Sequence, residues 1–400
     1  MDGTKVTGAN VSVRVDHEFM NAVLHDQPYV QQYPVNSDNP EVKKEINARQ
    51  LWKKIIHNAW KSAEPGVLFW DTILEESIPD CYADLGFRTV STNPCGEIPL
   101  CPYDSCRLLA VNLFSYVENA FTPKAKFNYN KFKQHVRAAQ RIMDDIVDLE
   151  MEKVDRIIQK IEDDPENLEI KRTELTLWKK IKEKCIEGRR TGVGITAEGD
   201  MLAGLGIRYG SDEGIDFSEE VHKILAVEAY RASVEMARER GAFPVYDSLR
   251  EEKNPFINRI KEADPALYDE MVEHGRRNIA LLTIAPTGTT SLMTQTTSGI
   301  EPVFMVSYKR RRKVNPNDKS VRVDFTDEVG DTWEEYHVFH HRFVDWLRAD
   351  ADALPDDVVY ISSALLEASE DLDAWADAAS RALATLLNTM AFATPPQSKA

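Results

Sequence analysis

Apolar residues recur at helical spacing in three stretches of this 400-residue chain. The first stretch covers residues 51–60 and the second covers 132–161. The third covers 217–240, is rich in alanine and ends near Gly241. A repeat of three to four residues places apolar side chains on one face of a helix. The pattern therefore predicts three amphipathic helices, the second being either one long helix or two joined ones.

Strand patterns lie between these helices. Residues 6–15 alternate β-branched and polar side chains, which is typical of a strand, and Asp16 is placed to cap a short helix through Val23. Apolar runs at 66–70, 108–116 and 279–286 predict strands in the core.

Residues 91–106, here called the cysteine loop, combine three cysteines with a carboxylate and an amide. Three prolines and Gly96 forbid a regular helix and disfavour a sheet interior, so a loop is predicted. An extended backbone would send the side chains of Asn93, Cys95 and Glu97 to the same side. A thiol, a carboxylate and an amide in one cavity suit nucleophilic, redox or radical chemistry, with the carboxylate taking a proton from a substrate hydroxyl.

The cysteine loop has two other interpretations, a surface loop with incidental cysteines and a zinc site. Zinc sites in proteins use four nitrogen or sulfur ligands, commonly cysteine and histidine together. No histidine is near this loop in the sequence, which argues against zinc.

A hydroxyl-rich turn follows the apolar run 279–286. Pro286 ends the run, and Thr287, Gly288, Thr289 and Thr290 are predicted to open a helix. The first turn of a helix exposes free N–H groups at the positive end of the helix dipole, so it binds phosphate without a lysine. These four residues are a candidate anion site, and the alternative is a simple helix cap.

Other polar clusters are interpreted as ordinary features. The glycine-rich segment 188–196 lacks the lysine of a nucleotide-binding P-loop. A di-iron bundle needs two Glu-x-x-His helices; a match lies at 334–337, and the predicted helix 132–161 carries none. The acidic residues of the second helix are therefore interpreted as a solvated face. They are Asp144, Asp145, Asp148, Glu150 and Glu152.

Two further clusters lie late in the chain. The basic run 309–313 is interpreted as a solvated face or a partner contact. The side chains of His337, His340 and His341 are interpreted as packing residues on a helix that also carries Trp333 and Trp346.

Composition and charge argue against a membrane protein, a nucleic-acid-binding surface and a disulfide framework. The sequence has no run of eighteen apolar residues and no N-terminal signal pattern, so we expect a cytoplasmic protein that does not insert into membranes. The net charge of −17 argues against a broad nucleic-acid surface. Five cysteines, an odd number concentrated in one loop, indicate chemical use in a reducing compartment rather than a disulfide framework.

The cysteine loop resembles the finger loop of the ribonucleotide reductase catalytic chain. The resemblance rests on Asn-x-Cys-x-Glu at 93–97 and on Cys106, eleven residues after Cys95. The sequence Asn-Pro-Cys-Gly-Glu-Ile-Pro-Leu at 93–100 is most similar to that of the adenosylcobalamin-dependent class, class II. The Pro-Thr-Gly-Thr turn at 286–289 and the Gly-Arg-Arg-Thr-Gly segment at 188–192, which enters a barrel strand in the family, agree with it. The resemblance runs from about Val6 to Trp346.

This resemblance implies a fold. The family has a ten-stranded α/β barrel, of the type shared with glycyl-radical enzymes, built from two five-stranded halves around a cysteine-bearing finger loop. Residues 1–348 would be the C-terminal portion of that catalytic barrel. Residues 349–400 would be a divergent alanine-rich tail.

The resemblance also implies reduction of a ribonucleoside di- or triphosphate to the 2′-deoxyribonucleotide for DNA precursor synthesis, with adenosylcobalamin as cofactor and no metal ligand among the side chains. Cys95 would carry the thiyl radical that abstracts the ribose 3′ hydrogen. Glu97 would deprotonate the 3′ hydroxyl and Asn93 would hold the sugar hydroxyls. Cys106 would belong to a redox pair reduced by a dithiol such as thioredoxin. The turn at 287–290 would hold the substrate's phosphates.

The resemblance is incomplete. No cysteine precedes Cys81 to act as the early-strand partner of Cys106, and the family's late barrel segment and C-terminal cysteines are not recognisable after Trp346. We therefore expect a split or partial catalytic subunit that needs a complementary N-terminal half. One alternative is a catalytically inactive fragment or scaffold. Another is a thiol-nucleophile enzyme, which would need a base such as His57 or His135 near the reactive cysteine.

Overall fold

The computed structural model describes residues 9–35, 37–315 and 320–349. The start of the predicted strand 6–15 and residues 350–400 of the alanine-rich tail lie outside the described residues. The α-helices of the described residues are α1 (His17–His25), α2 (Ala48–Ser62), α3 (Trp70–Glu76), α4 (Tyr129–Asp163), α5 (Leu168–Gly188), α6 (Glu198–Leu205), α7 (Asp212–Arg240), α8 (Ser248–Glu251), α9 (Pro255–Ala263), α10 (Pro265–His274), α11 (Gly288–Thr294) and α12 (His341–Ala349). Two 3₁₀ helices cover Ile78–Leu85 and Leu113–Tyr116.

The strands are short. They are β1 (Ser12–Val15), β2 (Pro28–Tyr33), β3 (Val42–Asn47), β4 (Gly66–Phe69), β5 (Ser91–Thr92), β6 (Pro99–Leu100), β7 (Leu109–Asn112), β8 (Val117–Glu118), β9 (Lys126–Phe127), β10 (Val193–Thr196), β11 (Ser307–Lys313), β12 (Phe325–Thr326) and β13 (Thr332–Phe339). β1 pairs with β4 in parallel, β10 pairs with β7, and the pairs β2–β3, β5–β6 and β8–β9 are antiparallel. β13 lies between β11 and β12. The mixed α/β class is confirmed, and within the described residues the strands form sheets of two or three.

The chain divides into two compact units. The first comprises Met1–Leu109, His135–Gly194 and Lys223–Ala285, and the second Ala110–Gln134, Ile195–His222 and Pro286–Ala400. One core of the first unit packs β1 and α1 around Phe19, and another joins Tyr82, Phe87 and Phe243. In the second unit, Tyr116, Phe127, Phe132 and Phe217 form an aromatic cluster of mostly edge-to-face pairs.

The helices predicted from apolar spacing are confirmed. Asp16 caps α1 by accepting a hydrogen bond from the Phe19 N–H at 2.7 Å, and α2 contains the predicted stretch 51–60. α4 is one continuous helix, and α7 ends at Arg240, just before Gly241 at φ +86°. No helix of the described ranges has the length and apolar character needed to cross a membrane.

The interpretation of the acidic residues of α4 as a solvated face is wrong at two positions. The Asp144 side chain is fully buried and pairs with Arg189 at 2.9 Å and Arg277 at 3.3 Å. Glu150 pairs with Arg107 and accepts a hydrogen bond from the Ser105 hydroxyl at 3.0 Å. Arginines from distant parts of the chain pack against α4, so Asp144 and Glu150 are partners of buried cations rather than of water alone.

The predicted strands are shorter than expected. The run 108–116 forms β7 and then a 3₁₀ helix, and β4 is only partly buried because Phe69 is half-exposed. The run 279–286 contains a single parallel bridge, from Leu282 to Val193, instead of a full strand. Hydrogen bonds from the Val193 N–H to the Leu281 carbonyl and from the Thr283 N–H to the Val193 carbonyl still hold this segment beside β10.

Two glycines explain this close approach of backbones. A Cβ on Gly192 would overlap the carbonyl oxygen of Arg107, and one on Gly194 would overlap the carbonyl oxygen of Thr283. Residues two apart on a strand need the same kind of space on one face. The glycine density of segment 188–196 therefore serves backbone packing on the strand β10, as the family resemblance implied.

The histidine-rich stretch is not one helix. His337 belongs to strand β13, His340 follows the strand, and His341 begins α12. Arg311 and Arg312 of β11 pair across the sheet with Glu335 and Glu334 of β13, so strand pairing decides the structure of this segment. The basic run 309–313 is exposed, so its interpretation as a solvated face is confirmed.

Candidate functional site

The cysteine loop folds as a tight hairpin. β5 and β6 pair antiparallel, and the Asn93 N–H donates to the Ile98 carbonyl at 3.2 Å. The Gly96 N–H donates to the Asn93 carbonyl at 3.0 Å, and Gly96 has φ +87°, a conformation that glycine adopts without strain. The loop prediction is confirmed, but the extended backbone through residues 93–97 is wrong because the chain turns there.

Asn93 stabilises this hairpin through its side chain. Its Oδ1 accepts a hydrogen bond from the Ile98 N–H at 3.0 Å. Asparagine commonly holds turns in this way, by bonding to a nearby backbone N–H. The bond uses the amide oxygen, so the NH₂ end of Asn93 is the part that is placed to contact a ligand.

Glu97 carries a buried carboxylate oxygen. Its Oε2 is inaccessible to solvent and has no hydrogen-bond partner among the described residues. Its backbone carbonyl accepts a hydrogen bond from the Thr283 hydroxyl at 3.0 Å. This bond holds the cysteine loop against the run 279–286, which lies beside β10. Buried carboxylate oxygens normally have partners, so an unpaired one is a candidate for contact with a substrate hydroxyl.

Cys95 and Cys106 are both exposed thiols, and they share an electrostatic environment with Glu97. Partial burial raises the pKa of Cys106, and the Glu97 carboxylate and Cys95 raise it further. The guanidinium groups of Arg190 and Arg107 act in the opposite direction on this pKa. The structure thus brings the two cysteines and the carboxylate of the predicted site into one neighbourhood.

The remaining cysteines differ from this pair. Cys101 and Cys185 are buried, and Cys81 is partly buried. Burial, followed by the Asp104 charge, raises the pKa of Cys101 to about 12, and burial and the Glu251 charge raise that of Cys81 to about 11. Because the thiolate is the reactive form, these thiols are poor nucleophiles at neutral pH.

A polar framework behind the loop was not anticipated from the sequence. Asp104 pairs with Arg190 at 2.7 Å, and Arg107 donates to the Arg190 carbonyl at 2.6 Å and to the Cys185 sulfur at 3.0 Å. The sequence signal was the pair Arg189-Arg190 inside an otherwise apolar segment. Two adjacent buried arginines require anionic partners. The residues next to them in the sequence do not show which carboxylates these partners are.

A cavity of about 520 Å³ lies against the loop within the first unit. Its polar lining includes Glu97 and Arg190, and its apolar lining includes Tyr230, Phe256 and Leu281. An apolar pocket with a few converging polar groups is the usual form of a small-molecule site.

The hydroxyl-rich turn belongs to the second unit. α11 begins at Gly288, and Thr287 precedes it as the capping residue. The Thr287 side chain is buried, and its hydroxyl accepts a hydrogen bond from the Gly299 N–H at 2.7 Å and lies 2.7 Å from the Thr196 hydroxyl. Thr287 therefore holds the turn together, while Gly288, Thr289 and Thr290 are exposed on the first turn of the helix.

His340 also lies in the second unit, where its Nε2 is 2.7 Å from Oδ1 of the buried Asp200. The other Asp200 oxygen accepts a hydrogen bond from the Thr297 N–H at 2.8 Å. The part of the chain that the structure describes contains no group of three or more histidine, cysteine or acidic side chains arranged to hold a metal ion. His340 thus anchors the end of β13 by its contact with α6.

Comparison with known proteins places these features in a family. The family model for the ribonucleotide reductase barrel domain matches residues 4–337. The chain is 33% identical, over 75% of its length, to a vitamin B12-dependent ribonucleoside-diphosphate reductase of Thermoplasma acidophilum, of which it covers 32%. It is 28% identical over 75% of its length to the enzyme of the same name from Mycobacterium tuberculosis, covering 36% of it.

A third relative comes from another bacterium. The chain is 27% identical, over 68% of its length, to the ribonucleoside-diphosphate reductase subunit alpha of Chlamydia pneumoniae, of which it covers 25%. The chain thus spans between a quarter and about a third of the length of these curated relatives. The family model covers most of the chain and includes both the cysteine loop and the turn at 287–290. The chain belongs to the ribonucleotide reductase family, in the region of its barrel domain.

Proposed function

We propose that this chain is the catalytic region of a class II, B12-dependent ribonucleotide reductase that converts ribonucleoside di- or triphosphates to 2′-deoxyribonucleotides. The names of the relatives from Thermoplasma acidophilum and Mycobacterium tuberculosis support this activity and its cofactor. The observation that carries the proposal is the unpaired, buried Glu97 oxygen in the same neighbourhood as Cys95 and Cys106.

In this function the cysteine loop performs the chemistry on the sugar. Cys95, exposed on the turn, carries the thiyl radical and abstracts the ribose 3′ hydrogen. The free Glu97 oxygen accepts the proton of the 3′ hydroxyl, as a general base within hydrogen-bond reach does. Asn93 orients the sugar hydroxyls with the NH₂ group that its turn-holding bond does not use.

The cofactor's part is limited to making the radical. Adenosylcobalamin, when bound, would supply the radical chemistry that generates the thiyl on Cys95. The exposure of Cys95 fits this role, because a carrier approaching from outside the loop reaches a thiol that buried Cys101 or Cys185 does not offer. Cys106 supplies electrons as the 2′ hydroxyl leaves as water, in a redox pair that a dithiol reductant such as thioredoxin restores.

The phosphates of the substrate are assigned to the first turn of α11. Its free backbone N–H groups and positive dipole end favour an anion, and Gly288, Thr289 and Thr290 are exposed there. The buried hydroxyl of Thr287 supports the shape of this turn through its bond with Gly299.

Gly288→Asp is expected to weaken nucleotide binding at least about tenfold, because a carboxylate next to the phosphates repels them. Isothermal titration with the substrate nucleotide measures this change. Gly288→Ala is the matched control, because a Cβ at this position meets nothing within 4 Å and adds no charge. Equal affinity of the aspartate and alanine variants would place the phosphates elsewhere.

The assembly and the barrel are part of the same proposal. Residues 1–348 form part of a ten-stranded α/β barrel, and a complementary polypeptide supplies the remaining strands and the redox partner of Cys106. The match of residues 4–337 to the ribonucleotide reductase barrel domain supports the barrel part of this proposal.

Reconstitution tests the function directly. The chain is mixed with a polypeptide containing the remaining barrel of a relative, adenosylcobalamin, a ribonucleotide and a dithiol reductant, and deoxyribonucleotide is measured. We expect multiple turnovers from the mixture and none from the chain alone. No product from a complex that forms and binds nucleotide would favour the alternative of an inactive reductase fragment or scaffold. Turnover by the chain alone would contradict the need for a complementary part.

A further inference from the structure

Arg190 is held rigidly by two residues that flank Cys106 in the sequence. Asp104, two residues before Cys106, accepts a hydrogen bond from the Arg190 Nε at 2.7 Å. Arg107, one residue after Cys106, donates to the Arg190 carbonyl at 2.6 Å. The chain on both sides of Cys106 is thus bonded to Arg190.

The guanidinium of Arg190 is not fully used by these bonds. The side chain is 6% exposed, and its Nη2 is buried with no hydrogen-bond partner among the described residues. Buried guanidinium N–H groups normally have acceptors, because leaving one unpaired costs free energy. Arg190 also lines the cavity that contains Gly96 and Glu97. A cation with a spare donor thus faces the space next to the cysteine loop.

Four groups act on the Cys106 sulfur from the elements around it. Glu97 and Cys95 on the cysteine loop oppose a negative charge there, whereas Arg190 and Arg107 favour one. Arg107 is already committed to Glu150, to the Arg190 carbonyl and to Cys185. Every nitrogen of the Arg107 guanidinium thus has a partner, whereas Nη2 of Arg190 has none among the described residues.

We infer that Arg190 is a positioning residue that stabilises the Cys106 sulfur as a thiolate during thiol–disulfide exchange. This inference rests on the proposed redox role of Cys106. In the exchange, a thiolate of the dithiol reductant bonds to the sulfur that is joined to Cys106. The old S–S bond breaks and its electron pair remains on Cys106. A leaving thiol departs faster when its thiolate is stabilised, and the Nη2–H of Arg190 provides that stabilisation.

The test measures the pH dependence of Cys106 alkylation by iodoacetamide, a neutral reagent, in the full chain. Cys95→Ser is the background, so that Cys106 is the exposed thiol that reacts, and mass spectrometry locates the label. Asp104→Asn is compared with Asp104→Asn/Arg190→Met, because removing both members of a buried ion pair is tolerated far better than removing one. We expect the midpoint pH to be about one unit higher in the double variant.

The alkylation rate at a fixed pH changes by a smaller factor than the thiolate fraction does. A one-unit rise lowers the thiolate fraction about tenfold, but the more basic thiolate is about threefold more nucleophilic, so the net loss at pH 7.5 is about threefold. Glu97→Gln is the control of opposite sign and should lower the midpoint, because it removes a negative charge near the sulfur. Arg190→Lys should keep the midpoint near that of the parent.

Equal midpoints in Asp104→Asn and in the double variant, both folded by circular dichroism, would overturn the inference. If the double variant does not fold, Arg190→Gln is the second neutral variant, since its amide can still donate to Asp104, and an unchanged midpoint there has the same meaning. The assay needs neither cofactor nor nucleotide. A shifted midpoint without reductase turnover would therefore uphold the effect of Arg190 on Cys106 and refute the proposed function. An unchanged midpoint with turnover would refute the effect of Arg190 and uphold the proposed function.

Discussion

Replacing Cys95 with serine is expected to abolish nucleotide reduction in the reconstituted enzyme, with a loss of at least about three orders of magnitude in turnover. A serine O–H gives up a hydrogen atom far less readily than a thiol S–H, so the radical does not reach the ribose. The side chain is exposed and nearly isosteric, so the hairpin and the bound nucleotide should be little affected. Deoxyribonucleotide formation and equilibrium nucleotide binding are measured on the same preparation.

Cys81→Ser is the matched control for this experiment. Cys81 is a partly buried free thiol of the first unit, and burial raises its pKa to about 11, so it is a poor nucleophile at neutral pH. This variant should retain turnover. Product formation by Cys95→Ser at the rate of the parent would show that another cysteine carries the radical.

The second large effect concerns stability. Asp144→Ala is expected to lower the free energy of unfolding by about 3–5 kcal/mol, because it leaves buried cations without their partner. The Asp144 carboxylate is fully buried, lies 2.9 Å from Arg189 and 3.3 Å from Arg277, and accepts a hydrogen bond from the Asn278 amide at 2.9 Å. Urea unfolding followed by circular dichroism measures the change.

The neighbouring carboxylate provides the control. Asp145 pairs with Arg240 at 2.9 Å, but its side chain is 53% exposed, so water screens the pair. Asp145→Ala should cost about 1 kcal/mol or less. Similar losses in the two variants would mean that burial of Asp144 contributes nothing beyond a surface ion pair.

Helices with a strong local signal were predictable from the sequence. The apolar spacing of 132–161 predicted α4, and the Asp16 side chain capped α1 at the expected residue. Both signals depend on residues within one or two turns of each other, so they do not require knowledge of the rest of the chain.

Burial of charge was not predictable in the same way. The sequence predicts that the acidic residues of α4 form a solvated face. Asp144 and Glu150 instead bind arginines that lie 45 and 43 residues away in the chain. His337 was placed on a helix, whereas pairing of β13 with β11 makes a strand of the segment that carries it. In both cases the deciding contacts come from segments that are distant in the chain.

Part of the candidate site was likewise predictable from the sequence, and part depends on contacts between distant segments. The residue types and spacing of the cysteine loop identified Asn93, Cys95, Glu97 and Cys106 as candidates, because this chemistry requires a thiol near a carboxylate. The spacing did not predict that Gly96 turns the backbone, nor that the Glu97 oxygen is left unpaired. Arg190 was missed as a member of the site, since its relation to Cys106 depends on two bonds to residues more than 80 positions earlier.

The family, the main helices, the cysteine loop and the turn that precedes α11 are all recognisable in the order of the amino acids. These depend on residue identity and on spacings of a few residues, where backbone geometry restricts the outcomes. Contacts between distant segments establish which charges are buried together, how closely the chain at Gly192 and Gly194 approaches the backbones of Arg107 and Thr283, and which arginine is bonded to the residues that flank Cys106. The physical reason is that burial and electrostatic stabilisation depend on distance in space, and a one-dimensional pattern does not contain that distance.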